Sequence, residues 1–120
     1  MRPIKFRAWD LLENKMIQWD ELTSGKHPYN YLSMLASDLG IVIWMQFTGL
    51  TDSKGKEIYE GDIIKYFNRY GEKQKINPVV FDLGMFCIND DDIYVKLSQA
   101  NRVEVIGNIY ENPELLKENL

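Results

Sequence analysis

The stretch that decides the fold is residues 45–64, MQFTGLTDSKGKEIYEGDII. An alternating apolar and polar segment opens it, and the turn sequence Asp52-Ser53-Lys54-Gly55 follows. A second turn at Glu60-Gly61 leads into another apolar segment. Short alternating segments separated by turns predict compact antiparallel β structure. The stretch contains no nucleophile beside a base and no phosphate-binding glycine loop, so it specifies shape and not chemistry.

Toward the N-terminus, residues 4–9 alternate with a period of two: Ile4, Phe6 and Ala8 face one way, and Lys5, Arg7 and Trp9 face the other. This pattern predicts a strand with one side buried. Residues 16–19 predict the returning strand of a hairpin. Pro28 and Gly40 bracket apolar residues at helical spacing, so a helix is expected over residues 28–39. The segment 41–45 is apolar on both faces, as in a strand that is covered on both sides or lies in an interface.

Toward the C-terminus, short apolar segments alternate with turns. Strands are predicted near residues 79–81, 85–88, 93–97 and 103–110, and a short helix is predicted after Asn112-Pro113. This pattern indicates a small barrel. The predicted fold class is therefore α+β and mostly β, with an N-terminal hairpin, helix and strand in residues 1–56. A small β-barrel with its terminal helix occupies residues 57–120, unless the two parts form one intertwined unit.

Composition limits the possible functions. The 120 residues are 45% apolar and 12% aromatic, enough for a packed core, and the net charge of −4 provides no domain-wide attraction for nucleic acid. Cys87 and His27 are each the single residue of their type, so no intrachain disulfide and no zinc ligand set is predicted. We expect no cofactor. The N-terminus lacks the apolar block of a secretory signal and no apolar run reaches membrane-spanning length, so a cytoplasmic location is expected.

Four blocks of this sequence resemble the YopX family of small bacteriophage and prophage proteins. They are residues 4–10 (IKFRAWD), 45–50 (MQFTGL), 55–63 (GKEIYEGDI) and 105–114 (VIGNIYENPE). The resemblance implies a phage or prophage origin in a bacterial host cell, a C-terminal barrel similar to the Src-homology type, and self-association. It implies no reaction, and it assigns no catalytic residue.

Two surfaces are candidates for binding. The two-faced apolar strand predicts self-association through Ile41, Ile43, Trp44 and Met45. The segment 65–75 combines four cations with aromatic rings and a single carboxylate, a mixture that single-strand nucleic-acid binders use. Its candidate residues are Lys65, Tyr66, Arg69, Tyr70, Lys73 and Lys75.

The predicted function is a non-enzymatic, oligomeric protein-interaction module that acts as a phage or prophage accessory protein, with a phage or host protein as its partner. The alternative is a nucleic-acid-binding protein that uses the basic-aromatic segment. No catalytic or metal-binding residues are predicted. A small enzyme remains a third class, because residues from separate strands of a barrel can meet in ways that sequence alone does not show.

Overall fold

A computed structural model describes residues 3–24, 42–68, 70–90 and 93–117 of the chain. The chain divides into two compact units, Met1–Phe47 and Thr48–Leu120. The boundary falls inside a long strand, whereas the sequence suggested residue 57. The division into domains at residues 1–56 and 57–120 stays a prediction. The predicted helix over residues 28–39, together with His27, Ile41 and Arg69, lies outside the described residues.

The strands are β1 (Phe6–Asp10), β2 (Lys15–Ile17), β3 (Val42–Thr51), β4 (Glu57–Tyr59), β5 (Asp62–Phe67), β6 (Gln74–Asp82), β7 (Met85–Asp90), β8 (Ile93–Lys96) and β9 (Asn101–Asn108). The helices are α1 (Trp19–Thr23), a 3-10 helix (Leu97–Gln99) and α2 (Glu114–Lys117). Strands account for 57% of the described residues, so the prediction of a mostly β fold is confirmed.

In the N-terminal unit, β1 lies between β2 and β3, and both pairs are antiparallel. Ala8 faces Ile17 on one neighbour and Trp44 on the other. These three side chains form a small apolar cluster together with Leu22 of α1. The predicted N-terminal hairpin is present. Its loop is held by Asp10, whose Oδ1 accepts hydrogen bonds from the backbone N–H groups of the second and third residues after it.

Two details of this unit differ from the sequence-based expectation. Trp19 begins helix α1 and does not continue the second strand. Arg7 and Trp9 are buried as well as Ala8, so both faces of β1 are covered where one was expected, and Ile4 lies before the strand and is 69% exposed. A strand with a neighbour on each edge occupies the middle of its sheet, where both faces can be covered. Alternation therefore gave the right conformation but not the number of buried faces.

The C-terminal unit contains a curled, five-stranded antiparallel sheet with the strand order β8-β7-β6-β5-β9. One face of the sheet carries the apolar core of the unit. The fully buried members of this core are Ile58, Ile64, Tyr66, Val79, Ile88, Leu97 and Val103. Because β8 and β9 stand at opposite ends of the strand order, the predicted barrel takes the form of an open half-barrel.

Strand β6 contains a proline in its interior, which the sequence had placed at the start of a strand. Pro78 pairs with Ile63 of β5, whereas the ladder between β6 and β7 begins only at Val79. A proline has no N–H to donate to a neighbouring strand. It is therefore tolerated in a strand only where one side carries no ladder. Helix α2 packs against β6, and it begins after Asn112-Pro113 as predicted.

The hairpin between β6 and β7 turns on two residues with positive φ, Leu83 at 53° and Gly84 at 74°. The pair Asp82 and Met85 closes it. Two positive φ values in a two-residue loop correspond to a type I′ turn, in which Asn-Gly is preferred. Leucine in this conformation costs about 1 kcal/mol. A turn at Leu83-Gly84 is present as the sequence predicts, but with leucine at a position that favours asparagine.

We expect Leu83→Asn to stabilise the protein by about 0.5–1 kcal/mol, because asparagine tolerates positive φ and the 68% exposed leucine side chain has little burial to lose. The midpoint of urea unfolding measures this gain. Leu12→Asn is the matched control, since Leu12 is 74% exposed and has no positive φ. An equal or larger gain in the control would contradict the explanation by turn geometry.

Candidate functional sites

The basic-aromatic segment folds into a tight loop between β5 and β6. The N–H of Asn68 donates to the carbonyl of Lys73 at 3.0 Å, and the N–H of Gly71 donates back to the carbonyl of Asn68 at 2.8 Å. The side-chain oxygen of Asn68 accepts a third bond, from the N–H of Glu72. Gly71 has a φ of 71°, which this reversal of the chain requires. The loop is therefore an organised turn in its described residues.

Two of the predicted phosphate-binding cations are already paired with carboxylates. Nζ of Lys75 lies 2.6 Å from Oδ2 of Asp90. Nζ of Lys65 lies 3.7 Å from Oε2 of Glu104, whose Oε1 also accepts a hydrogen bond from Lys54 at 3.0 Å. The hydrogen bond and the charge of Lys54, with the charge of Lys65, lower the pKa of Glu104, so this carboxylate stays ionised. Phosphates would have to compete with these acids.

One of the predicted stacking rings is unavailable to a base. Tyr66 is 1% exposed and belongs to the apolar core of the C-terminal unit. Its hydroxyl oxygen accepts a hydrogen bond from Nδ2 of Asn77 at 2.9 Å. Burial, the main influence, raises the pKa of Tyr66, so the phenol stays neutral. Tyr66 is therefore a core residue, and its ring cannot stack on a nucleic-acid base.

Two residues of the candidate interface remain accessible. Tyr70 is 76% exposed, and Lys73 is exposed in the same loop. Arg69 lies outside the described residues. The structure thus separates the other five candidates into two paired cations, one buried ring and two exposed loop side chains. Asp90 and Glu104 each pair with one of the cations that favoured nucleic acid, so less of the local positive charge is available to attract phosphate.

Of the residues predicted to mediate self-association, Ile43, Trp44 and Met45 lie in β3, which pairs with β1. In β3, Ile43 pairs with Trp9 and Met45 pairs with Arg7. Met45 is 3% exposed, and Trp44 packs against the cluster around Ala8. At least two apolar side chains of β3, Trp44 and Met45, are therefore packed inside the N-terminal unit.

Residues 45–56, which contain the family block 45–50 and the turn after it, hold their backbone with side-chain hydrogen bonds. Asp52 is 8% exposed, and its carboxylate accepts hydrogen bonds from the backbone N–H groups of Lys54, Lys56 and Val105 at 2.9–3.0 Å. Burial by itself raises the pKa of Asp52, but the three N–H groups and the charge of Lys56 outweigh burial and lower the pKa below 3.8. In the same block, the hydroxyl of Thr48 donates to the carbonyl of Ile58 at 2.7 Å.

The C-terminal block works in the same way. Oδ1 of Asn108 accepts hydrogen bonds from the N–H groups of Tyr110 and Glu111, and Oδ1 of Asn112 accepts one from the N–H of Asn108. A Cβ on Gly107 would lie 2.5 Å from Oδ1 of Asn112, so glycine is required here by close approach. These side chains fix the path from β9 into α2. None of them is left available for chemistry.

Within residues 3–24, 42–68, 70–90 and 93–117, no group of three or more His, Cys, Asp and Glu side chains lies close enough to hold a metal ion. No helix in those ranges combines the length and the apolar character that crossing a membrane requires.

A comparison with protein families matches residues 5–117 to the family described as YopX protein. The chain belongs to the YopX family. A second comparison places this YopX protein beside the crystal structure of protein EF1440 from Enterococcus faecalis, with 30% sequence identity, a TM-score of 0.69, and coverage of 97% of this chain and 99% of that chain.

The X-ray crystal structure of protein yopX from Bacillus subtilis is also similar. It has 24% identity and a TM-score of 0.61, and the match covers 96% of this chain and 98% of that chain. At that identity the likeness shows the fold alone. A search of curated proteins gives no match. The resemblance stated from the sequence is confirmed, and it spans the YopX protein nearly from end to end.

Proposed function

We propose that this protein is a non-enzymatic protein-interaction module that self-associates and binds a phage or host protein in the bacterial cytoplasm. The single observation that carries the proposal is an asymmetry between the two edges of the C-terminal sheet. One edge is capped by the chain itself, and the other is open among the described residues.

The capped edge is β9. The N–H of Ser53 donates to the carbonyl of Val103 at 2.8 Å, and the N–H of Val105 donates to Oδ2 of Asp52 at 3.0 Å. The turn between β3 and β4 therefore occupies the backbone groups that a further strand would use. Proteins commonly protect edge strands in this way against pairing with other chains.

The open edge is β8. It pairs with β7 through residues such as Ile88 with Val95, and no described strand lies on its other side. Its first residues, Ile93 and Tyr94, are 66% and 37% exposed. An edge strand with exposed apolar side chains is a template for strand addition, in which backbone hydrogen bonds give affinity and side chains give specificity.

A second copy of the chain satisfies this geometry directly. Two β8 strands related by a two-fold axis would join two sheets through the same surface on each protomer. We place the self-association surface at β8, and not at Ile43, Trp44 and Met45, because Met45 is 3% exposed and Trp44 packs against the cluster around Ala8, whereas Ile93 and Tyr94 are exposed. Another protein can add an extended segment to the same edge, which supports the partner-binding part of the proposal.

Light scattering coupled to size-exclusion chromatography tests the self-association. At high micromolar concentration we expect a mass above the 14.1 kDa of one chain. The double variant Ile93→Lys/Tyr94→Lys places charges on the edge and should give a monomer. Tyr70→Lys is the matched control, because Tyr70 is 76% exposed in a loop and not on an edge. A monomeric parent protein would refute self-association.

A pull-down from phage-infected host cells, with and without nuclease, tests the partner class. A protein that is retained after nuclease treatment by the parent chain, and lost from the Ile93→Lys/Tyr94→Lys variant, is the expected result. Capture that disappears with nuclease would instead favour nucleic acid. That outcome would direct attention to the exposed loop residues Tyr70 and Lys73.

A further inference from the structure

A pocket of about 290 Å³ opens on the C-terminal unit, between the turn after β3, the 3-10 helix and β9. Its floor is apolar and consists of Ile58, Leu97 and Val103, which are members of the core cluster. Its rim carries Ser53, Ser98 and Arg102. Ligand pockets in proteins combine such an apolar floor with a few polar groups that fix orientation, and this one is at the small end of their size range.

Arg102 is the polar group that gives the pocket its chemical preference. Its φ of 52° is unusual for a side-chain-bearing residue, and it lies at an irregularity of the β5–β9 ladder, between the pairs formed by Lys65 and Phe67. The guanidinium carbon is 5.1 Å from the centre of the Phe67 ring. This distance is that of a cation–π contact, which does not use up the N–H donors of the guanidinium.

The charge of Arg102 is not compensated by a carboxylate in the described residues. The nearest candidate along β9 is Glu104, and that side chain is engaged by Lys54 and Lys65. Arg102 itself forms no ion pair with any described acid. Arg102 therefore lies at the mouth of an apolar pocket with N–H donors available. Their fork geometry matches the two oxygens of a carboxylate.

Asp52 also lines the pocket and is the group that could oppose an anion. Its two oxygens are used by three backbone N–H groups, and the cations Lys54 and Lys56 flank it in the sequence. The carboxylate of Asp52 is thus oriented toward the backbone N–H groups of the turn and of β9. Lys56 offsets the charge of Asp52, and Lys54 is shared with Glu104, so Arg102 is the rim cation that can pair with an anion.

We propose that this pocket binds a carboxylate that carries a short apolar chain: the chain enters the space above Ile58, Leu97 and Val103, and the carboxylate pairs with Arg102. A free branched-chain acid and the C-terminal residue of a polypeptide share this chemistry. The site is separate from the β8 edge, and its existence does not depend on self-association or on a protein partner.

Nuclear magnetic resonance titration tests the site with 4-methylpentanoate and with N-acetyl-glycyl-leucine, each beside its neutral amide. The expected result is that amide signals of residues 51–53 and 97–103 shift with both acids, and that each acid binds about ten-fold more tightly than its amide, the difference that a charge-assisted hydrogen bond provides. Tighter binding of the dipeptide than of the small acid would assign the site to chain termini. The reverse order would assign it to free acids.

Two variants and one control separate recognition from folding. Arg102→Gln should reduce the affinity of each acid to that of its amide and leave the amide affinity unchanged, whereas Lys73→Gln, which alters an exposed cation elsewhere, should change neither. Ser98→Leu places an apolar side chain at the rim and should weaken acid and amide alike. Equal affinity of acid and amide in the parent protein, shifts confined to other residues, or no shift at all would each overturn the proposal.

Discussion

Replacing Asp52 with alanine is expected to destabilise the folded protein by about 3 kcal/mol, because hydrogen bonds to a charged group contribute about 1.5–3 kcal/mol each and are not fully additive. The variant would leave the N–H groups of Lys54, Lys56 and Val105 without their acceptor. Those donors belong to the turn after β3 and to β9, so the loss loosens a connection between distant parts of the sequence. The free energy of unfolding in urea measures the effect.

The pH dependence provides an independent check on the same group. The pKa of Asp52 in the folded protein is lower than 3.8, whereas in the unfolded chain it returns to its ordinary value. The ionised carboxylate therefore contributes its full stabilisation above about pH 4, and the contribution is lost as the pH falls through the folded-state pKa. The difference in stability between the parent protein and Asp52→Ala should be largest near neutral pH and should shrink below about pH 4.

Asp82→Ala is the matched control for Asp52→Ala. Asp82 also lies beside a turn, but it is exposed and its carboxylate accepts one hydrogen bond, from the N–H of Leu83 at 2.8 Å. We expect a cost below about 1 kcal/mol for this variant. If Asp52→Ala costs no more than Asp82→Ala, the central role given to Asp52 is wrong.

Replacing Gly107 with alanine is expected to cost about 2–3 kcal/mol, the range for forcing extra volume into a packed site. The added Cβ would lie 2.5 Å from Oδ1 of Asn112, 2.8 Å from its Cγ and 2.9 Å from its Cβ. Rotation of the Asn112 side chain moves the first two atoms but not the third, which is attached to the backbone. The backbone between β9 and α2 must therefore shift, and the hydrogen bond from Asn108 to Asn112 is strained or lost.

A double-mutant cycle separates this clash from other effects of alanine. Asn112→Gly removes all three contacting atoms, so Gly107→Ala should cost less than about 1 kcal/mol in that background. Gly71→Ala provides the control: it has open space around it and a φ of 71°, so its cost of about 1 kcal/mol should not change with Asn112→Gly. Additive costs of Gly107→Ala and Asn112→Gly would argue against the contact.

Much of the fold could be predicted because its signals are local. The turns at Asp52-Ser53-Lys54-Gly55 and Leu83-Gly84, and the start of α2 at Asn112-Pro113, are each written in a few adjacent residues. Turn chemistry depends on such short windows, so a single sequence reveals it. Trp19 shows the limit of this method. A short apolar segment is compatible with a strand or a helix, and only its packing beside Leu22 in α1 decides between them.

The sequence could not predict that the cations of the basic-aromatic segment are paired with carboxylates, because this pairing depends on which strands become neighbours. Lys65 is separated by many residues from Glu104, and they meet because β5 pairs with β9. The alternation of residues 103–105 does place Glu104 opposite the core face, and this was the one available signal that it could face a cation. The pocket around Arg102 left no comparable signal, because its positive φ arises from the ladder irregularity and not from a turn residue.

The burial of the lone thiol has a practical consequence. Cys87 is 0% exposed in β7, and burial raises the pKa of its Sγ above the ordinary thiol range. An alkylating reagent needs an accessible thiolate, so it can react only when β7 separates transiently from its surroundings. The rate of Cys87 alkylation under native conditions therefore measures how often the five-stranded sheet opens around β7. Mass spectrometry can follow this rate on the protein without any substitution.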